Sequence, residues 1–149
     1  MSAFQVLHPA WESRVRESFA RQGLMRHLGA RLVRVEPGRV EIELPFRPEL
    51  TQQDGYFHAG ATTAIADSAG GYAGYTLFPA DSSVLTVEFK VNLLAPARGE
   101  RLRATAEVAR AGRTLTVCRL EVHAESGGDS VLCATGLQTL FCLPDARGG

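Results

Sequence analysis

Between Gln52 and Gly74 the chain holds a polar, glycine-containing loop, Gln52-Gln53-Asp54-Gly55-Tyr56-Phe57-His58. It runs straight into Ala59-Gly60-Ala61-Thr62-Thr63-Ala64-Ile65-Ala66-Asp67-Ser68-Ala69-Gly70-Gly71-Tyr72-Ala73-Gly74. That second segment is built almost entirely of small residues. It carries no Lys, Arg or Glu and one carboxylate, Asp67. A helix without a charged face is buried all round. Glycine inside a helix costs roughly 1 kcal/mol relative to alanine, so Gly60, Gly70, Gly71 and Gly74 imply close approach of a neighbouring backbone. A buried carboxylate needs partners or a function, because an uncompensated buried charge is strongly unfavourable. The segment predicts a central helix over residues 59–77, ended by Pro79 and the Ala80-Asp81-Ser82 turn, and wrapped by something flat.

Alternation of period two supplies the flat partner. Leu85, Val87, Phe89, Val91 and Leu93 fall on one face of a strand, and Thr86, Glu88, Lys90 and Asn92 on the other. Strands are expected again over residues 100–109, 114–124 and 130–143, separated by turns at Ala111-Gly112 and at Ser126-Gly127-Gly128-Asp129. Upstream, residues 30–35 and 39–45 form a hairpin around Pro37-Gly38. Two strands, one long helix and four strands make an α+β domain, with an antiparallel six-stranded sheet around the helix. Trp11, Val15 and Phe19 are spaced i, i+4, i+8, so residues 1–28 are expected to hold an N-terminal amphipathic helix. Residues 144–149 are expected to fray. At 149 residues, this is one domain, 1–149.

Charge and cysteine usage narrow the function. Sixteen basic and sixteen acidic residues cancel, which gives no reason to expect nucleic acid. No apolar run spans a bilayer, and the first residues lack the layout of a signal peptide. Cys118, Cys133 and Cys142 lie in strands with no Cys-x-x-Cys spacing, so they read as core residues rather than as a disulfide frame or zinc site. A cytoplasmic protein without metal or redox cofactor follows.

The start of a buried helix offers backbone N–H groups with no intrahelical partner at the positive end of the helix dipole. Here the start is His58-Ala59-Gly60, where an acyl oxygen would find an oxyanion hole. Gln52 adds a side-chain donor six residues upstream. Asp67 is the base or nucleophile in reach, yet it lies nine positions after His58, about 13 Å along the axis at about 1.5 Å per residue. One helix cannot bring both groups to one carbonyl. A two-fold homodimer can, with each helix start facing the partner's Asp67.

These residues and the order of elements resemble the hotdog-fold acyl-CoA thioesterases, in particular the phenylacetate-pathway (PaaI-type) branch, over about residues 28–143. The shared motif is a polar residue, a glycine, a His-Gly-Gly that opens the helix, then an acid followed by small residues. The sequence departs from it once, with Ala59 at the first glycine, and a backbone donor survives that change unless φ must be positive. The resemblance implies hydrolysis of an acyl-CoA thioester, with Asp67 activating water or attacking. It makes the Ala59 amide the polarising donor, Gln52 its support, Thr86 the partner of Asp67 and His58 the shaper of the loop. Gly60 lies against the substrate, and Arg110 and Arg113 beside the Ala111-Gly112 turn are candidate contacts for the CoA phosphates. It also implies a homodimer pairing into a homotetramer, with shared active sites. Two other functions fit the same residues. Asp54 and His58 form an Asp-x-x-x-His pair of the kind that hydrates enoyl-CoA, and a non-catalytic acyl-CoA binder would use the same cleft. Asp67 also reads as a structural carboxylate at a subunit interface, Thr86 as solvent-facing, and Tyr72 and Tyr75 as packing residues.

Overall fold

The computed structural model describes residues 4–145. Two short helices open it, α1 (Trp11–Arg21) and α2 (Gly23–Leu28). A hairpin, β1 (Arg31–Glu36) and β2 (Arg39–Pro45), turns at Gly38, whose φ of 75° suits glycine. The central helix α3 (Ala59–Tyr75) follows, then β3 (Ser82–Leu93), β4 (Arg101–Ala111), β5 (Leu115–Ser126) and β6 (Asp129–Pro144). All strand pairings are antiparallel, in the order β1-β2-β4-β5-β6-β3. The six-stranded sheet wraps α3, as expected. Its inner face supplies Val40, Ile42 and Leu44 from β2, Leu102, Ala104 and Ala106 from β4, and Leu120 and Val122 from β5, all buried. No described helix is long and apolar enough to cross a membrane.

Several boundaries differ from expectation. Residues 4–28 hold two helices where one was expected over residues 1–28; residues 1–3 lie outside the described residues. The chain leaves helical geometry at Gln22 (φ −75°, ψ 105°), whose side-chain oxygen accepts a bond from Ser68 of α3 at 2.8 Å. α3 stops at Tyr75, not residue 77. Arg14 of α1 gathers the carbonyls of Tyr75, Phe78, Pro79 and Ala80 there and stacks 4.0 Å from the Tyr75 ring. In the expected tail, Pro144 pairs with Ser82 and the Asp145 amide donates to the Asp81 carbonyl, so the strand continues; residues 146–149 lie outside the described residues.

The glycines of α3 do not all serve one purpose. A methyl group on Gly70 would overlap the Gln138 amide, and one on Gly74 would overlap Leu140, so these two admit β6 side chains rather than a backbone. Gly71 meets nothing within 4 Å and faces a cavity.

The strict alternation expected in β3 breaks. Thr86 pairs with Leu140, but Glu88 pairs with Thr139, so Val87 is an extra residue, a β-bulge. Directly paired residues share a face. Val84 and Thr86, opposite buried Cys142 and Leu140, therefore face α3. Beyond the bulge Phe89, Val91 and Leu93 do so, while Glu88, Lys90 and Asn92 face outward. The expected grouping of Thr86 with Glu88, Lys90 and Asn92 is corrected by that one inserted residue.

The outer face over β1, β2, β4 and β5 is an ion-pair ladder. Glu43 meets Arg31, Arg101 and Arg103; Glu41 meets Arg34, Arg39 and Arg103; Glu125 meets Arg101 and Arg103. Bonds from Arg101 and then Arg103 hold the Glu125 carboxyl below its ordinary range, against burial. Burial pushes Glu41 up, but the combined pull of Arg39, Arg34 and Arg103 leaves it lowered as well.

Candidate active site

The loop before α3 is built to present one amide. The His58 N–H donates to the Leu50 carbonyl (2.8 Å) and the Phe57 N–H to the Ala97 carbonyl (2.9 Å), which fixes the approach to the helix. His58 is the N-cap. Its Nδ1 accepts the Gly60 N–H at 2.7 Å, and its carbonyl accepts the Ala61 N–H at 2.9 Å. The Ala59 N–H is left with no partner among the described residues, at the positive end of the dipole. Gly60, by contrast, spends its amide on His58 and has no donor for a ligand. No described non-glycine residue has positive φ, and Ala59 is helical, so alanine costs the site no donor.

The Gln52 side chain is oriented from within the loop. Its Oε1 accepts the amides of Asp54 (2.6 Å) and Tyr56 (3.2 Å), which leaves Nε2 as the outward group, with Asp54 at 3.4 Å its one partner among the described residues. Gln52 and Ala59 line a cavity of about 460 Å³ together with Tyr56, Leu93, Leu94 and Pro96. Asp54 bonds Gln52 and Gln53, not His58. His58 is engaged instead through Nδ1, which accepts in the cap.

Asp67 sits on another cavity, of about 380 Å³, with Thr86, Gly71, Tyr72, Ser18 and Gln22. The bulge at Val87 turns Thr86 inward, and its Oγ1 donates to Asp67 Oδ1 at 2.7 Å. Gln138 of β6 donates from Nε2 to the same oxygen at 2.6 Å, to the Asp67 carbonyl at 3.1 Å and to Thr86 Oγ1 at 3.1 Å. Asp67 Oδ2 has no partner among the described residues. Ser18 contacts the Tyr72 hydroxyl at 3.2 Å, which gives this cavity a polar wall from α1. Tyr72 is packed, as expected, and burial pushes its phenol up, yet the residue also lines the cavity.

Sequence reasoning missed Gln138, Ser18 and Gln22. Gln138 had a readable signal. Ala134, Gly136, Gln138, Leu140 and Cys142 share one parity along β6, so a long polar side chain stands at an inward position. Ser18 and Gln22 gave none, because they lie on a helix whose docking the sequence does not specify. Thr86 and Asp67 are brought together. Gln52 and Ala59 share a cavity, but not that of Asp67. Arg110 and Arg113 are exposed beside the β4–β5 turn, at the opposite end of α3 from Ala59, and line neither cavity. Cys118, Cys133 and Cys142 are free and buried, and burial pushes the Cys118 thiol up to about 12.

The sequence profile of the Thioesterase superfamily matches residues 54–131, from the loop through α3 and into β6. The chain belongs to the thioesterase superfamily. A solved thioesterase family protein from Silicibacter pomeroyi superposes with a TM-score of 0.88 at 48% identity, covering 90% of this chain and 98% of that one. The 1,4-dihydroxy-2-naphthoyl-CoA hydrolase of Escherichia coli (strain K12) is 27% identical over 112 residues, 75% of this chain and 81% of that protein. The PaaI protein of the Escherichia coli phenylacetic acid degradation operon shares the hotdog fold, with a TM-score of 0.82 at 15% identity over 91% of this chain and 94% of that one. This hotdog protein is a thioester hydrolase.

Proposed function

We propose that the enzyme hydrolyses acyl-CoA thioesters to the free acid and CoA, with active sites shared between two subunits. The observation that carries this is the presence of two half-sites on one helix: an Ala59 amide and an Asp67 Oδ2 that both lack a partner among the described residues. The thioester oxygen docks on the Ala59 N–H, supported by Gln52 Nε2. Asp67 of the other subunit acts as general base or nucleophile. As base it takes a proton from water while the water oxygen bonds the carbonyl carbon. The charge then gathers on the oxygen held by Ala59, the C–S bond breaks, and the CoA thiolate leaves with the proton from Asp67. As nucleophile its oxygen bonds the carbonyl carbon, the C–S bond breaks and the CoA thiolate leaves; water then opens the mixed anhydride, which restores the Asp67 carboxylate and releases the acid with one of the water's protons, the thiolate taking up the other.

Two features support the shared site. Asp67 lies eight positions after Ala59, about 12 Å of helix. β3 is an edge strand of twelve residues with Leu85, Val87, Phe89 and Leu93 exposed. A long apolar edge of that kind invites pairing with a second copy, which would bring two such helices together; a further pairing would give a tetramer. The relative named for a CoA ester supports CoA as the carrier. Arg110 and Arg113 are kept as contacts for its phosphates on grounds of charge alone. Free, buried thiols fit a reducing compartment, and we assign the enzyme to the cytoplasm.

The test is release of free CoA from a panel of acyl-CoAs by wild type and by Asp67→Asn. The variant should fold, retain binding and lose about 10²-fold or more in kcat, the scale of a missing general base. Near-normal turnover by Asp67→Asn would remove Asp67 from the chemistry. Loss of an enoyl double bond without CoA release would point to a hydratase, and binding without turnover to a carrier.

A further inference from the structure

We propose that Gln138 is the positioning residue that makes Asp67 a one-sided carboxylate, with Oδ1 saturated and Oδ2 the oxygen that acts. This rests on the assignment of Asp67 above. A carboxylate is acceptor-only, so the group it meets on Gln138 is the NH₂. Gln138 Nε2 and Thr86 Oγ1 both donate to Oδ1, at 2.6 and 2.7 Å. With Nε2 also reaching the Asp67 carbonyl and Thr86 Oγ1, the Gln138 amide ties the carboxylate, its own backbone and its neighbour into one rigid unit. Oδ2 is excluded from that unit and is the one carboxylate oxygen free for water or the thioester carbon.

The arrangement is costly in a way that packing does not explain. Gln138 is 1% exposed, and its Oε1 has no hydrogen-bond partner among the described residues. An orphaned buried acceptor is worth about 1–3 kcal/mol of destabilisation. A leucine or methionine would fill the same inward position of β6, between Gly136 and Leu140, without that cost. The helix is cut to fit the amide as well: a methyl group on Gly70, three residues after Asp67, would overlap Oε1. A side chain held with its carbonyl unsatisfied, in a slot that a glycine opens for it, is retained for what its NH₂ does to Asp67.

Gln138→Leu keeps the volume, removes both donors and also removes the orphaned oxygen, so its thermal midpoint should stay close to wild type. Octanoyl-CoA and benzoyl-CoA hydrolysis, followed by free thiol, should show kcat reduced about 10- to 100-fold, the range for loss of a group that orients a reacting one. KM should change by less than about threefold, because ground-state binding is untouched. Gly70→Ala attacks the same contact from the helix side and should shift kcat in the same direction. It also carries the test if Gln138→Leu does not fold. Unchanged kcat in a folded variant overturns the role of Gln138 while leaving Asp67 in place. Absence of CoA release by wild type overturns both.

Discussion

Subunit complementation tests the shared site directly. A docked thioester needs its oxygen about 2.9 Å from an amide and its carbon about 3–3.5 Å from the attacking atom, so donor and attacker lie within roughly 7 Å of each other. Ala59 and Asp67 of one chain are about 12 Å apart along the axis of a straight helix, and they line separate cavities. If each site takes Gln52 and Ala59 from one subunit and Asp67 from the other, Gln52→Ala spoils both sites of its homodimer, and so does Asp67→Asn. Refolding the two together gives mixed dimers as about half of the population by random pairing. Each mixed dimer holds one site with both lesions and one with neither. CoA release should rise to about a quarter of wild type, from two nearly inactive parents. Were one chain to supply both residues to one site, every site in the mixture would carry a lesion. The mixture would then stay at the parental level, and the shared site would be refuted even with hydrolysis itself intact.

Stability offers further checks. Glu41 and Glu125 have folded values below the ordinary carboxylate value of 4.5. Their contribution is complete above that pH and is lost as pH falls through the lower folded values; thermal melts from pH 7 to 3 should show this decline, and Glu125→Gln should flatten it. Arg14→Met removes a charged donor from four carbonyls and should cost about 1.5–3 kcal/mol in urea unfolding, on the scale of one charge-assisted bond; a change below 0.5 kcal/mol would deny the clasp its role. Gly136→Ala would drive a methyl group into the Lys90 carbonyl of β3 and should cost about 1–3 kcal/mol by overpacking; wild-type stability would mean that β3 shifts freely against β6.

The frame was legible because two periodicities do not overlap. Nothing but burial explains a helix of alanines, glycines and threonines, and nothing but a sheet explains the alternation downstream of it. Half of the site was legible for the same reason: Ala59, Gln52 and His58 are neighbours in sequence, so local geometry places them. The Asp67 half was not, since it is assembled from α3, β3, β6 and α1. Thr86 shows the limit most clearly. Alternation alone sends it outward, and only the extra residue at Val87 turns it to Asp67. A bulge is set by the register of two strands and leaves no mark on one of them. Gln138 was readable as a polar residue in an inward phase, but its partner across the sheet was not.

The cavity beside Asp67 has walls of two origins. Asp67, Gly71 and Thr86 belong to the helix and sheet that every part of the fold depends on, whereas Ser18 and Gln22 come from the short helical pair latched on by Arg14. Shape and polarity of that chamber can therefore drift through changes in residues 11–28 alone, without touching the register of a single strand. On the proposed function, that separates the part held fixed for reaction from the part exchangeable to meet a new acyl group, and related chains should then differ first in their opening helices.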